Sequence, residues 1–127
     1  MESDLIKLEI KEDFIYPNKE IHGTIVINYD GRFDTVVINS QIENSSDIFN
    51  YLEINGKKIN HSYSRISIFK SDLKNANRIE FSAITNHIPT INSTKVKFRT
   101  SIIQEHKEVA NDIVFLVIRN NKLDENP

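Results

Sequence analysis

Alternation of apolar and polar residues with a period of two is the feature that most constrains the fold of this chain. Residues 21–29 read IHGTIVINY and residues 94–104 read TKVKFRTSIIQ, so that every second side chain is apolar or small. Because successive side chains of a strand point to opposite faces of a sheet, this pattern predicts strands with one buried face. Further strands are predicted at residues 5–11, 33–42, 51–54, 57–59, 64–69, 78–84 and 113–118.

Eight or nine short strands, with no helical pattern of even three turns, indicate a β-sandwich or a barrel. The 21 isoleucines support this interpretation because β-branched residues pack well on sheets, whereas alanine and leucine number only three and six. Two long connections, residues 43–50 and 86–94, suit strands that change sheets. We therefore predict an all-β, immunoglobulin-like antiparallel β-sandwich, with a single domain over residues 1–119 and a flexible tail over residues 120–127.

Two dipeptides predict tight turns. Asn55-Gly56 separates two short strands, and Asp30-Gly31 separates the strands at residues 21–29 and 33–42. Such turns need positive φ angles, which Asn, Asp and Gly tolerate, so each dipeptide is typical of a hairpin. We expect both pairs of strands to be antiparallel neighbours.

Three residues are expected to have structural roles. Gly23 lies inside a strand, where a glycine marks a bulge or a close approach of other atoms. Pro17 stands in a turn-like segment just before that strand. Pro89 has no N–H to donate to a central ladder, so we expect it at a sheet edge or in a loop that crosses between sheets.

Several segments resemble the strands of arrestin-fold proteins. These are residues 16–27 (YPNKEIHGTIVI), 36–42 (VVINSQI), 81–89 (FSAITNHIP), 96–102 (VKFRTSI) and 113–118 (IVFLVI). The family shares a proline turn and a glutamate before an apolar-x-Gly-x-apolar strand, a Leu-Pro-like crossing and a closing apolar strand. The resemblance implies a single arrestin-like domain that acts as a non-enzymatic binding or scaffold module through its loops and sheet edges. It also implies close packing at Gly23. Arrestins have two sandwiches, so no switch that depends on a domain pair is implied.

Charge and composition exclude several classes of protein. Sixteen Lys and Arg residues are interspersed with eighteen Asp and Glu residues, for a net charge of −2, which predicts no binding to nucleic acid. The absence of cysteine excludes disulfides and thiolate sites. The start of the chain lacks the apolar core of a signal peptide, and the longest apolar run, residues 113–118, is too short to cross a bilayer. We therefore expect a cytoplasmic protein without integral membrane contact.

The sequence predicts no catalytic residue, metal or cofactor. The four histidines lie in separate segments without metal-ligand spacing, and the three glycines cannot form a phosphate loop. His61 and Ser62 are adjacent, but neighbouring side chains of a strand point to opposite faces, which separates the imidazole from the hydroxyl. A ligand-binding or hydrolytic sandwich that uses His61, Ser62 or His87 remains an alternative.

Two features of the last strands are candidates for binding a protein partner. Lys95, Lys97 and Arg99 share one face of a strand, where they could meet an acidic or phosphorylated partner or only solubilise the surface. Residues 113–118 are apolar on both faces, so one set of alternate side chains needs a second cover from a loop or another chain. We assign this role to Val114, Leu116 and Ile118, or to their alternates. A structural subunit of a homo-oligomer is therefore an alternative function.

Overall fold

The structure, a computed structural model, describes residues 5–74 and 76–120. Within them, regular elements follow one another in this order: β1 (Ile6–Ile10), β2 (Ile21–Ile27), β3 (Thr35–Ile42), β4 (Asn50–Ile54), β5 (Lys57–Ser62), β6 (Arg65–Phe69), α1 (Lys70–Leu73), β7 (Arg78–Ile84), β8 (Ser93–Gln104) and β9 (Lys107–Arg119). The tail predicted at residues 120–127 lies, apart from Asn120, outside the described residues.

The strands form two antiparallel sheets that pack face to face. One sheet has five strands in the order β1-β2-β7-β4-β5, and the other has four in the order β6-β3-β8-β9. The predicted all-β sandwich is therefore confirmed. Its core lies between the two sheets, where Ile25 of β2, Ile38 of β3 and Phe98 of β8 are each 0% exposed. Phe49, from the connection before β4, packs its ring 5.0 Å from that of Phe98.

One of the two predicted hairpins is confirmed and the other is wrong. Asn55-Gly56 joins β4 to β5 with φ angles of 49° and 81°, the positive values that a tight turn requires. By contrast, β2 lies between β1 and β7, while β3 belongs to the other sheet. Both edges of β2 are thus occupied, and the loop at Asp30-Gly31 carries the chain from one sheet to the other.

Pro89 lies in a loop that crosses between the sheets, and Pro17 lies in a turn before β2. The loop that contains Pro89 leads from β7 in the first sheet to β8 in the second. Pro17 and Asn18 occupy a turn that the Lys19 N–H closes by donating to the Tyr16 carbonyl, 3.2 Å away, with Asn18 at φ 64°. Proline followed by a residue with positive φ is typical of a type II turn.

Gly23 marks a close approach rather than a bulge. The pairing of β2 with β7 runs from Ile21 to Val26 without a shift of register, and Gly23 lies opposite Phe81. A Cβ atom at residue 23 would lie 2.2 Å from Cζ of Phe81. The glycine therefore leaves the space in which this buried ring packs.

The two open sides of the sandwich differ. On one side β1 and β9 approach each other, and the Leu8 N–H donates to Asp112 Oδ2 at 2.8 Å. On the other side the edges of β5 and β6 stay apart, and a cleft of about 690 Å³ opens between the sheets. Within residues 5–74 and 76–120, a hydrogen bond between the two edge strands closes the first side alone.

Candidate binding surface on the β8–β9 hairpin

The two longest strands of the chain, β8 and β9, form a hairpin at one edge of the four-stranded sheet. Their register sets the row of cations directly beside a row of apolar side chains. The cross-strand pairs are Lys95 with Val117, Lys97 with Phe115 and Arg99 with Ile113. We call these six residues the hairpin face.

The sequence did not determine which side chains of β9 are exposed. Val114 and Leu116 pack against the core and Ile118 is 0% exposed, so the set named from the sequence faces inward. Their alternates form the outer surface, with Phe115 69% exposed and Ile113 38% exposed. An aromatic side chain at this exposure places most of its apolar surface in water, which is a common mark of an interaction site when other apolar groups adjoin it.

Of the three cations of the hairpin face, Arg99 alone forms an ion pair within the described residues. Arg99 is fixed by an ion pair in which its Nη2 lies 2.7 Å from Glu108 Oε2. Burial raises the pKa of Glu108, but hydrogen bonds from Asn111, Ser101 and Arg99 outweigh it, so that the pKa lies below its ordinary value. Within the described residues Lys95 and Lys97 form no ion pair, and their charges remain available to a partner.

The edge of β9 next to Phe115 has no backbone partner in the described part of the chain. A single bridge covers the end of the strand, where the Ile15 N–H donates to the Val117 carbonyl at 2.9 Å and the Arg119 N–H donates to the Ile15 carbonyl at 2.8 Å. Backbone groups of alternate residues point to the same side of a strand. The N–H and C=O groups of Ile113 and Phe115 therefore also point outward, beyond the bridge, where another strand could pair.

His61 and Ser62, two of the three residues of the enzymatic alternative, do not form a nucleophile and base with each other. Ser62 donates its hydroxyl proton to Asn50 Oδ1 at 3.1 Å, so the hydroxyl is engaged with an amide rather than with an imidazole. The His61 ring lies 5.8 Å from the ring of Tyr63 and lines the cleft between the sheets. Within the described residues no group of three or more His, Asp and Glu side chains is arranged to hold a metal ion.

His87 joins the two long connections. Its Nδ1 lies 2.7 Å from Asp47 Oδ2, and its Nε2 lies 3.1 Å from Thr94 Oγ1. The hydrogen bond from His87 is the main cause that lowers the pKa of Asp47. The sequence could not indicate this contact, because residues 47 and 87 are 40 positions apart. A carboxylate, an imidazole and a hydroxyl follow one another here in the order found in a hydrolase relay. The hydroxyl, however, belongs to Thr94, a stiff β-branched residue within a paired strand. We therefore interpret the group as a link between the two connections.

Fold and site together define a class of protein: a two-layered antiparallel β-sandwich with an exposed aromatic residue beside an unpaired strand edge. No protein-family model matches the chain, and no curated protein matches its sequence. Within the described residues no helix is long and apolar enough to span a bilayer.

Solved structures match the fold at very low sequence identity. A mutant of the adhesin CfaE from enterotoxigenic E. coli is 8% identical, with a TM-score of 0.57 over 91% of this chain and 48% of its own. A conjugative transposon lipoprotein from Bacteroides eggerthii is 7% identical, with a TM-score of 0.51 over 90% of this chain and 98% of its own. AvmM, which catalyses macrocyclisation in alchivemycin A biosynthesis, is 8% identical, with a TM-score of 0.51 over 98% of this chain and 91% of its own. The sandwich is thus shared by proteins with different roles, and the likeness shows the fold alone.

Proposed function

We propose that the chain is a non-enzymatic binding module that takes an extended, acidic segment of a protein partner onto the hairpin face and the free edge of β9. The observation that carries the proposal is Phe115, which is 69% exposed beside an unpaired stretch of backbone. Addition of a strand to an exposed sheet edge is a recurrent mode of peptide recognition, in which main-chain hydrogen bonds supply affinity and alternate side chains supply specificity.

The hairpin face indicates the chemistry of the partner. A strand paired with Ile113 and Phe115 would present every second side chain to the same outer face. There it would meet the Phe115 ring and the two cations without ion pairs, Lys95 and Lys97. We therefore expect both apolar residues and Asp, Glu or a phosphorylated residue among the side chains at every second position, which share the outer face.

Selection from a random peptide library tests this proposal. We expect enriched peptides in which acidic and apolar residues are two positions apart, so that both face the hairpin face. Their binding should be lost in Phe115→Ser and weakened about tenfold in Lys97→Glu, as for the loss of one charge-assisted hydrogen bond. Matched controls are Phe69→Ser, which removes a ring that is 55% exposed on β6, and Lys58→Glu on β5. Peptides without acidic residues, or peptides that bind all four variants equally, would contradict the proposal.

An arrestin-like relationship is part of this proposal. It is supported by the segment at residues 16–27, in which a proline turn precedes a strand with Gly23 beneath a buried aromatic ring. The module would correspond to one arrestin-type sandwich that binds through an edge strand. The cytoplasmic location stays a prediction.

A homo-oligomer is the second candidate, because the same free edge could pair with the β9 edge of another copy. Light scattering after size-exclusion chromatography separates the two functions. A dimer that dissociates in Phe115→Asp favours the oligomer, while a monomer at all concentrations favours a different partner. Phe115 suits this test better than Leu116, which packs against the core and whose replacement would also destabilise the fold.

A further inference from the structure

The cleft between β5 and β6 is a second concave surface, on the side of the sandwich away from the β1–β9 side. Its volume of about 690 Å³ falls within the range of about 300–1,000 Å³ that is typical of pockets for small ligands. Its floor is made of aliphatic side chains that also belong to, or pack against, the core. They are Ile54, Ile59, Ile66, Ile68 and Leu73.

The rim of the cleft carries an excess of positive charge. Among the described residues Lys57, Lys74 and Arg78 line it, against a single acid, Asp72, and the imidazole of His61 also lines it. Arg78 is already paired with Glu80, Nε to Oε2 at 2.9 Å. In the described part of the chain the two lysines form no ion pair, so they are the cations that a ligand could engage.

Lys57 and Arg78 lie at one end of the cleft. The side chain of Asn55, in the turn before Lys57, donates to the Arg78 carbonyl at 3.4 Å, which places that turn beside the start of β7. Lys74, at the end of α1, lines the same cleft. His61 lies further along β5, about 13 Å from Lys57 at about 3.3 Å per residue.

Lys74 adopts a backbone conformation that glycine would adopt at lower cost. It ends α1 in the left-handed conformation, with φ 51°, which usually selects glycine. A lysine at this position adds a charge to the rim, and the cost is a strained backbone conformation. Replacement by glycine would remove both the charge and the strain; ligand affinity then reports on the charge, and the melting temperature reports on the strain.

We propose that this cleft binds a linear alkyl carboxylate, with its chain along Ile59, Ile66 and Ile68 and its carboxylate at Lys57 and Lys74. The floor side chains are aliphatic, whereas Asn55, Ser67 and Ser71 add polar groups elsewhere in the lining. An aliphatic floor favours a ligand that is hydrocarbon along most of its length. The lysines select an anionic end. The proposal concerns a different surface from the hairpin face and does not depend on the function proposed for it.

Titration of isoleucine-methyl-labelled protein with decanoate, followed by NMR, tests the proposal. We expect saturable shifts of the Ile59, Ile66 and Ile68 methyl groups, with tighter binding of decanoate than of decan-1-ol or decyltrimethylammonium. Methyl groups on the hairpin face, such as those of Ile113, should not shift. Equal affinity for the alcohol and the carboxylate, or shifts confined to the hairpin face, would overturn the proposal.

Three variants separate recognition from folding. Lys74→Gly should weaken decanoate binding about tenfold, as expected for a lost charge-assisted hydrogen bond, and should leave the melting temperature unchanged or higher. Lys57→Glu should weaken it at least as much, whereas Lys58→Glu, with the same change of net charge, should retain the wild-type affinity. Unchanged decanoate affinity in both Lys57→Glu and Lys74→Gly would contradict a role for these lysines.

Discussion

At the scale of single residues, the space beside Gly23 determines how β2 and β7 fit together. The buried ring of Phe81 fills that space and lies 5.9 Å from the ring of Tyr51. The sequence predicted a bulge or a close approach at Gly23, and the structure shows the second. The identity of the approaching group could not be predicted, because Phe81 is distant in the chain.

Replacement of Gly23 by alanine should destabilise the protein. The added Cβ would lie 2.2 Å from Phe81 Cζ, so the ring or the strand must move. Overpacking of this kind costs about 1–3 kcal/mol of unfolding free energy, which urea denaturation can measure. A second replacement, Phe81→Leu, should recover part of the loss that Gly23→Ala causes. An alanine variant as stable as the wild type would show that the ring does not occupy this space.

The buried hydroxyl of Tyr51 predicts a pH dependence at the alkaline end. Burial raises the pKa of Tyr51 to about 12 from the ordinary value of 10.0. Since the unfolded chain loses this proton first, stability should fall as the pH rises from about 10 to about 12, by roughly 2–3 kcal/mol in all.

The difference between wild type and Tyr51→Phe isolates this effect from the titration of lysines and of the other tyrosines. We expect that difference in unfolding free energy to be constant below about pH 9 and to change in favour of the phenylalanine variant above about pH 10. Parallel stability curves throughout would contradict the burial of a neutral phenol.

At the scale of elements, features set by neighbouring residues could be predicted from the sequence, whereas features set by distant parts of the chain could not. The Asn55-Gly56 hairpin was predicted because the turn is specified by its own two residues. The assignment of β2 and β3 to different sheets depends on β1 and β7, which lie elsewhere in the chain. The start of β9 was placed too late, because the turn before it contains neither glycine nor asparagine. Because β9 has apolar residues on both faces, the sequence could not predict which of its faces is exposed.

The turn between β8 and β9 should be open to stabilisation. Glu105 and His106 adopt φ angles of 50° and 68°, which Asn and Gly accommodate at lower cost. The double replacement Glu105→Asn with His106→Gly should raise the unfolding free energy by about 1–2 kcal/mol. The hydrogen bond from the residue 105 N–H to Asp34 Oδ2, at 2.8 Å, involves only the backbone of residue 105 and should persist. A decrease in thermal stability would show that these two side chains support the turn.

At the scale of the whole molecule, the difference between the two open sides of the sandwich determines where the candidate sites lie. On the β1–β9 side the Leu8–Asp112 hydrogen bond and the Ile15 bridge cover part of the β9 edge, and within the described residues the stretch between them at Ile113 and Phe115 has no backbone partner. Separation on the β5–β6 side opens the cleft. The basic row at Lys95, Lys97 and Arg99 was predictable from its own strand. The cleft was not, because strands, the α1 segment and a turn contribute to it from separate parts of the sequence.

Hydrogen exchange along β9 tests the free edge most directly. In the isolated protein we expect the amides of Ile113 and Phe115, which point outward, to exchange much faster than those of Val114 and Leu116, which pair with β8. A peptide selected on the hairpin face should slow the exchange of the first two amides only. If Ile113 and Phe115 were as protected as Val114 in the free monomer, the edge would already be covered and no strand could add there.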